Sequence, residues 1–145
     1  MKQKEHMTDF PALLRDMGLK ATPGRISLLE FLSKESKPLT VSAIQKKFGK
    51  KIDTVTLYRT LEDFADKGIV RRVDFEHSHA HYEIVAGRKH HHHIICKKCE
   101  KVEDVDVCES EGVERNVLQK VKDFSFITNH SLEFFGICNQ CIKSN

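Results

Sequence analysis

Cys96, Cys99, Cys138 and Cys141 form two Cys-x-x-Cys pairs, and four consecutive histidines, His90 to His93, stand just ahead of the first pair. A Cys-x-x-Cys turn brings two thiolates within reach of one ion. Two such turns complete the tetrahedral four-cysteine shell that holds structural zinc. Thirty-eight residues separate Cys99 from Cys138, so the ion would tie distant parts of a domain together and hold the chain end on its sheet. Disulfides are the alternative. The N-terminal residues do not read as a signal peptide, so the expectation is a cytoplasmic chain whose cysteines serve metal or redox chemistry.

The histidine run leads into Ile94-Ile95-Cys96, which reads as a strand. Alternate side chains of a strand share a face, with roughly 7 Å between their backbone positions. His91 and His93 therefore point one way, and His90 and His92 the other. One short strand can serve two separate metal sites, each with an imidazole pair.

The elements that must position these groups fall into two parts. Residues 1–85 carry 15 Lys/Arg against 12 Asp/Glu, while residues 86–145 carry nine of each. All five cysteines and eight of the nine histidines lie after residue 76. The net charge of +3 permits a nucleic-acid partner for the first part without requiring one. No apolar run approaches the roughly 18 residues of a membrane helix, which predicts a soluble protein with no membrane partner.

In residues 1–85, Phe10, Leu13, Leu14 and Met17 fall at helical spacing and Gly18 stops that helix. Thr22-Pro23 reads as the cap and first turn of a second helix bearing Ile26, Leu28, Leu29, Phe31 and Leu32. Ser42 is expected to cap a third, short helix. Asp53 or Thr54 should cap a fourth that ends at Gly68. In the fourth, Leu57, Tyr58, Leu61, Phe64 and Ala65 make the apolar stripe, opposite Thr54, Thr56, Arg59, Thr60 and Asp63. Ile69–Phe75 and His81–Val85 then read as a β-hairpin. Helices followed by a hairpin make a winged helix, whose second motif helix enters the major groove. Thr54, Thr56 and Arg59 are placed to reach bases or phosphates, and Lys20 and Arg25 to add backbone contacts.

The segment Thr54-Val55-Thr56-Leu57-Tyr58-Arg59-Thr60-Leu61 resembles the recognition helix of the ferric uptake regulator (Fur) family. The resemblance runs on through Gly18-Leu19-Lys20-Ala21-Thr22-Pro23-x-Arg25, the histidines and first cysteine pair, Thr128-Asn129-His130-Ser131-Leu132-Glu133, and Gly136-x-Cys138-x-x-Cys141. It implies an α+β chain: an N-terminal winged-helix DNA-binding domain (1–85) followed by a small α/β metal-binding dimerisation domain (86–145) with a four-cysteine zinc site. It implies a homodimeric, metal-responsive transcriptional repressor on a double-stranded DNA operator, with Tyr58 and Arg59 on the operator and Lys20 near the minor groove.

The resemblance also implies two further metal sites. The regulatory one would draw on Glu83, His91, His93 and Asp104, a mixed imidazole and carboxylate shell suited to Fe2+, Zn2+ or Mn2+ rather than Cu(I). Metal held there would fix the angle between the two recognition helices of the dimer, coupling metal to operator binding. Here the chain departs from the family pattern: members with a histidine just before the third helix have it where this chain has Thr40, and members with a cysteine in the second wing strand have it near Val85. His77, His79 and His81 stand by as substitutes, His79 or His81 foremost. The additional site would use His90, His92 and His130 with Glu114, or else Glu111.

The dimerisation part predicts strands over Val102–Val107, Phe124–Thr128 and Leu132–Ile137, with a helix carrying Val113, Val117, Leu118 and Val121. Phe124, Phe126, Phe134 and Phe135 are more apolar surface than about sixty residues can hide, which favours a dimer. Cys108 is left over as a small hydrophobe. Other classes stay open but poorly supported. A zinc hydrolase would need a small-molecule substrate and a motif such as His-Glu-x-x-His, which this chain lacks. A metal-buffering protein would leave the Tyr58-Arg59 helix unused. Iron and zinc are the leading expectations for the metal sensed, with manganese, nickel and peroxide sensing through iron behind them.

Overall fold

Asp9 opens the first helix by accepting the Ala12 N–H at 2.9 Å, and every later helix of this half begins on a comparable cap. The structure is a computed structural model describing residues 8–49, 52–76, 79–107 and 110–144. Its contacts group into two units, Met1–Lys89 and His90–Asn145.

In the first unit, helix α1 (Phe10–Asp16) ends ahead of Gly18, whose φ of +75° suits glycine. Thr22 caps α2 (Pro23–Lys34) and Pro23 occupies its first turn. A two-residue strand β1 (Leu39–Thr40) leads directly into α3 (Val41–Phe48). Thr40 is the α3 cap, its hydroxyl accepting the Ala43 N–H at 3.1 Å. This corrects the expectation of Ser42: β1 pairing holds Thr40 extended, the conformation a cap requires. Asp53 caps α4 (Thr54–Asp66) through the Thr56 N–H at 3.0 Å and the Thr56 hydroxyl at 2.6 Å.

Strands β2 (Val70–Val73) and β3 (His81–Ile84) are antiparallel, and β1 adds to the other side of β3. Leu14, Leu28, Leu29, Leu32, Ile44, Leu57, Leu61 and Phe64 are fully buried together against Val70, Tyr82 and Ile84 of the sheet. Two assignments on α4 change. Tyr58 is 47% exposed, not part of the apolar stripe, and Thr60 is buried at 6%, its hydroxyl donating to the Thr56 carbonyl. That bond lets a small hydroxyl sit on the apolar face without an unmatched polar atom.

In the second unit β4 (His92–Cys96) is central. It pairs antiparallel with β5 (Val102–Val105) and parallel with β6 (Glu133–Gly136). The parallel pairing requires a long connection, which contains α5 (Ser110–Lys120), and α6 (Asn139–Lys143) ends the chain's described part. Phe124–Thr128 forms no strand; Phe124 and Phe126 are 70% and 71% exposed. Among the described residues, their alternation has no neighbouring strand to pair with. Val113, Val117 and Val121 of the α5 region are exposed too. Among the described residues, no helix is long and apolar enough to cross a membrane.

Candidate metal centres and nucleic-acid face

Cys96 ends β4, and Cys138 follows β6, whose parallel register sets Cys96 opposite Gly136. The Cys96–Cys99 turn closes through Glu100 N–H to the Cys96 carbonyl at 2.9 Å, and Cys138 leads α6, which carries Cys141. The four sulfurs lie within 4.8 Å of one another, Cys99 and Cys138 at 3.6 Å. Sulfurs about 2.3 Å from one tetrahedral zinc stand roughly 3.8 Å apart, so the group fits that ion. The backbone N–H of Cys138 donates to Cys96 Sγ at 3.3 Å. That bond leads the causes that hold the Cys96 thiol at about 6, while the thiols of Cys138 and Cys99 push Cys141 up to about 12. A lowered thiol of this kind favours the thiolate form that a metal ligand must take.

His92 and His93 open β4, His90 and His91 stand just ahead of it, and the four divide into two imidazole clusters. On one face His90, His92 and His130 converge: Nε2 to Nε2 separations are 3.3 Å for His90–His92, 3.2 Å for His90–His130 and 3.3 Å for His92–His130. Nitrogens 2.0–2.1 Å from one tetrahedral ion lie about 3.3 Å apart, so this triangle matches three positions of such a shell. Glu114 meets the far side of His130, its carboxylate oxygen 3.1 Å from Nδ1. As placed, Glu114 orients the imidazole and is not one of the three converging nitrogens' neighbours. The Glu111 side chain, His77 and Cys108 lie outside the described residues.

On the other face the His91 and His93 rings are 5.0 Å apart. The β4–β5 register sets His93 opposite Asp104, with His93 Nε2 3.7 Å from the carboxylate. His93 is fully buried and Asp104 about half exposed, the contrast expected where an apolar strand meets an open edge.

In the first unit Glu83 lies on β3, 2% exposed. Directly opposite on β2 is Arg71, whose Nε is 3.0 Å from Glu83 Oε1 and whose terminal nitrogen also bonds that oxygen. Sequence reading missed this pair. The signal is hairpin register, which only a paired structure supplies. His81 packs edge-on to Phe75 with ring centroids 4.8 Å apart, and its Nδ1 is 3.2 Å from the His79 carbonyl. His79 itself is exposed.

The outer face of α4 presents Thr54, Thr56, Tyr58 and Arg59, all exposed. Thr54 donates to Gln45 of α3 at 2.9 Å, bracing the helix start. Arg25 is tied down: its guanidinium bonds Asp63 at 2.7 Å and reaches the Lys20 carbonyl at 3.5 Å. It locks α2 to α4, whereas Lys20 is exposed beside it.

The model of the Ferric uptake regulator family matches residues 16–135. The chain is 35% identical over 132 residues to the ferric uptake regulation protein of Legionella pneumophila, covering 88% of this chain and 95% of that one. It is 34% identical over 134 residues to the peroxide-responsive repressor PerR of Staphylococcus epidermidis, covering 90% and 86%. Among solved structures, the Vibrio cholerae ferric uptake regulator (Fur) superposes with a TM-score of 0.69 at 34% identity, covering 90% of this chain and all of that one. An exposed α4 face, a four-cysteine cluster and two imidazole clusters at the start of β4 therefore sit in a chain that belongs to the ferric uptake regulator family.

Proposed function

We propose that the chain is a cytoplasmic, metal-responsive transcriptional repressor that binds its operator as a metal-loaded homodimer. The observation that carries this is the division of labour on β4. β4 and the two residues just ahead of it supply His91 and His93, the latter beside Asp104, and His90 and His92 converging with His130. Zinc in the four-cysteine shell would supply the cross-link that joins the ends of β4 and β6. Glu83, His91, His93 and Asp104 are the regulatory ligands that the family resemblance implies, and His79 or His81 of the wing hairpin is the substitute for the histidine that Thr40 replaces. His90, His92 and His130, braced by Glu114, hold the additional ion. Nitrogen and carboxylate donors suit Fe2+ or Zn2+, and also Mn2+.

Thr54, Thr56, Tyr58, Arg59, Lys20 and Arg25 form the DNA-contacting set, with Arg25 also paired to Asp63 of α4. The exposed Phe124, Phe126 and Phe134 support self-association. A second reading is peroxide sensing through bound iron, favoured by the likeness to a peroxide-responsive repressor.

Operator binding measured by fluorescence anisotropy tests the reading. The probe is the promoter fragment upstream of the gene, with the four-cysteine zinc retained and Fe(II), Mn(II), Zn(II) and Ni(II) titrated without oxygen. One metal should tighten binding by about tenfold or more, a coupling near 1.4 kcal/mol. Equal affinity with and without every metal would remove the switch. Brief peroxide treatment of the Fe(II) complex separates the two readings: irreversible release marks the peroxide sensor.

A further inference from the structure

The β2–β3 register places Arg71 directly opposite Glu83, and both guanidinium contacts fall on the same carboxylate oxygen. The Glu83 side chain is 1% exposed and that of Arg71 23%. A carboxylate this deep is costly unless a cation neutralises it. Arg71 is a cation in contact with it. We propose that Arg71 is a built-in competitor for the regulatory metal at Glu83, setting the metal level at which the regulator responds. This inference rests on the reading of Glu83 as a regulatory ligand.

Two effects act in the same direction. A divalent ion that takes Glu83 must share the carboxylate with a guanidinium or displace it, and a like charge held nearby in a water-poor site raises the energy of the loaded state. Arg71 also stabilises the unloaded state by satisfying Glu83 before metal arrives. Removing its charge weakens the empty form and relieves the loaded form, so affinity should rise. Paired residues of an antiparallel ladder share a face, and Thr40, His81 and Val73 lie on the same face by the same register. Among the described residues of this face, Arg71 is the arginine paired directly with Glu83.

The experiment uses the full chain with its structural zinc retained, in a His130→Ala background so that one nitrogen/carboxylate site titrates. Mn(II) binding is followed by calorimetry and Co(II) binding by visible absorption. Arg71→Gln keeps an N–H donor toward Glu83 and Arg71→Met keeps only the stem, so the pair guards against a folding failure, which circular dichroism would register. Either folded variant should bind Mn(II) about tenfold more tightly, and Arg71→Lys, which keeps the charge, should stay within about threefold of the parent. In a Glu83→Gln background the gain should vanish. Unchanged or weaker binding in the folded Arg71 variants overturns the proposal; a merely structural arginine gives weaker binding. If Glu83→Gln itself leaves Mn(II) affinity unaltered, the ligand reading of Glu83 fails, and the competitor falls with it.

Discussion

Thr40 and His81 are directly paired across the antiparallel β1–β3 ladder, so their side chains lie on one face of the wing sheet, the face that also carries Glu83 two residues along β3. Thr40 stands where other family members have a histidine, by the resemblance of the sequence. The ladder thus sets an imidazole across from the position that lacks one. His81 Nδ1 faces the His79 carbonyl, and a proton donated there puts the lone pair of the neutral ring on Nε2.

His81→Ala should therefore reduce the metal-dependent gain in operator affinity by about tenfold, while His79→Ala should change it by less than about twofold. Thr40→His added to His81→Ala should restore most of the gain, at a cost of about 1 kcal/mol for the lost α3 cap. Anisotropy titrations and thermal melts measure the two effects separately. If His81→Ala binds metal and operator as the parent does, the substitution of one position for the other is wrong.

The α4 outer face makes a prediction about salt. Tyr58 and Arg59 are exposed and absent from the core, so Tyr58→Ala and Arg59→Ala should leave the melting temperature unmoved. Arg59→Ala should also lower the slope of log K against log salt by about 1, the signature of one lost phosphate contact. Leu61→Ala, from the fully buried stripe of the same helix, should instead cost about 3 kcal/mol of stability. An Arg59→Ala variant with an unchanged slope and affinity would take that residue off the operator.

These contrasts also mark what the chain discloses before it folds. The α2 and α4 starts were legible because Thr22 and Asp53 are capping residues set just ahead of periodic apolar runs. Cysteine spacing singled out the four sulfurs that converge, and the period of two along the histidine run the pairing of His90 with His92 and of His91 with His93, whereas His130 came only with the family resemblance. Ser42 against Thr40 was not decidable locally, since both carry hydroxyls and the choice depends on a β1–β3 pairing distant in sequence. Tyr58 and Thr60 were interchanged for a similar reason: at the border of an apolar stripe, a bond such as Thr60 to the Thr56 carbonyl outweighs side-chain polarity. Phe124–Thr128 alternates like a strand, but a strand exists only where a neighbour completes its ladder. Arg71 opposite Glu83 depends wholly on register, and a one-residue slip would have put them on opposite faces.

The Asp53 cap gives a pH dependence with a defined sign. Hydrogen bonds from the Thr56 hydroxyl and then the Thr56 N–H hold the Asp53 carboxyl below its ordinary 3.8. A group depressed in the folded state adds stability above its unfolded value and loses it as the pH falls through the folded one. Compared with Asp53→Asn, which keeps an acceptor but does not titrate, the parent should hold a constant advantage above about pH 5 and lose it below 3.8. Chemical denaturation of both proteins across that range measures the difference, since all other carboxylates are shared. An NMR titration midpoint for Asp53 at or above 3.8 would contradict the argument.

The His90–His92–His130 triangle and the four-cysteine group should empty independently, because they use different donors at different places along β4. His130→Ala removes one corner of a triangle whose edges are 3.2 to 3.3 Å, and the two remaining imidazoles make a poor site. That variant should lose one ion per protomer while its thiolate-bound zinc stays. Glu114→Ala removes the carboxylate 3.1 Å from His130 Nδ1, the type of support whose loss weakens metal binding by about 10- to 100-fold without abolishing it. Cys99→Ser should do the reverse, losing zinc from the thiolate group and loosening the β4–β6 pairing that Cys96 and Cys138 flank. Metal-to-protein ratios after dialysis, taken with hydrogen exchange along β4 and β6, separate the cases. Loss of both ions from His130→Ala would mean that the two centres fold as one unit.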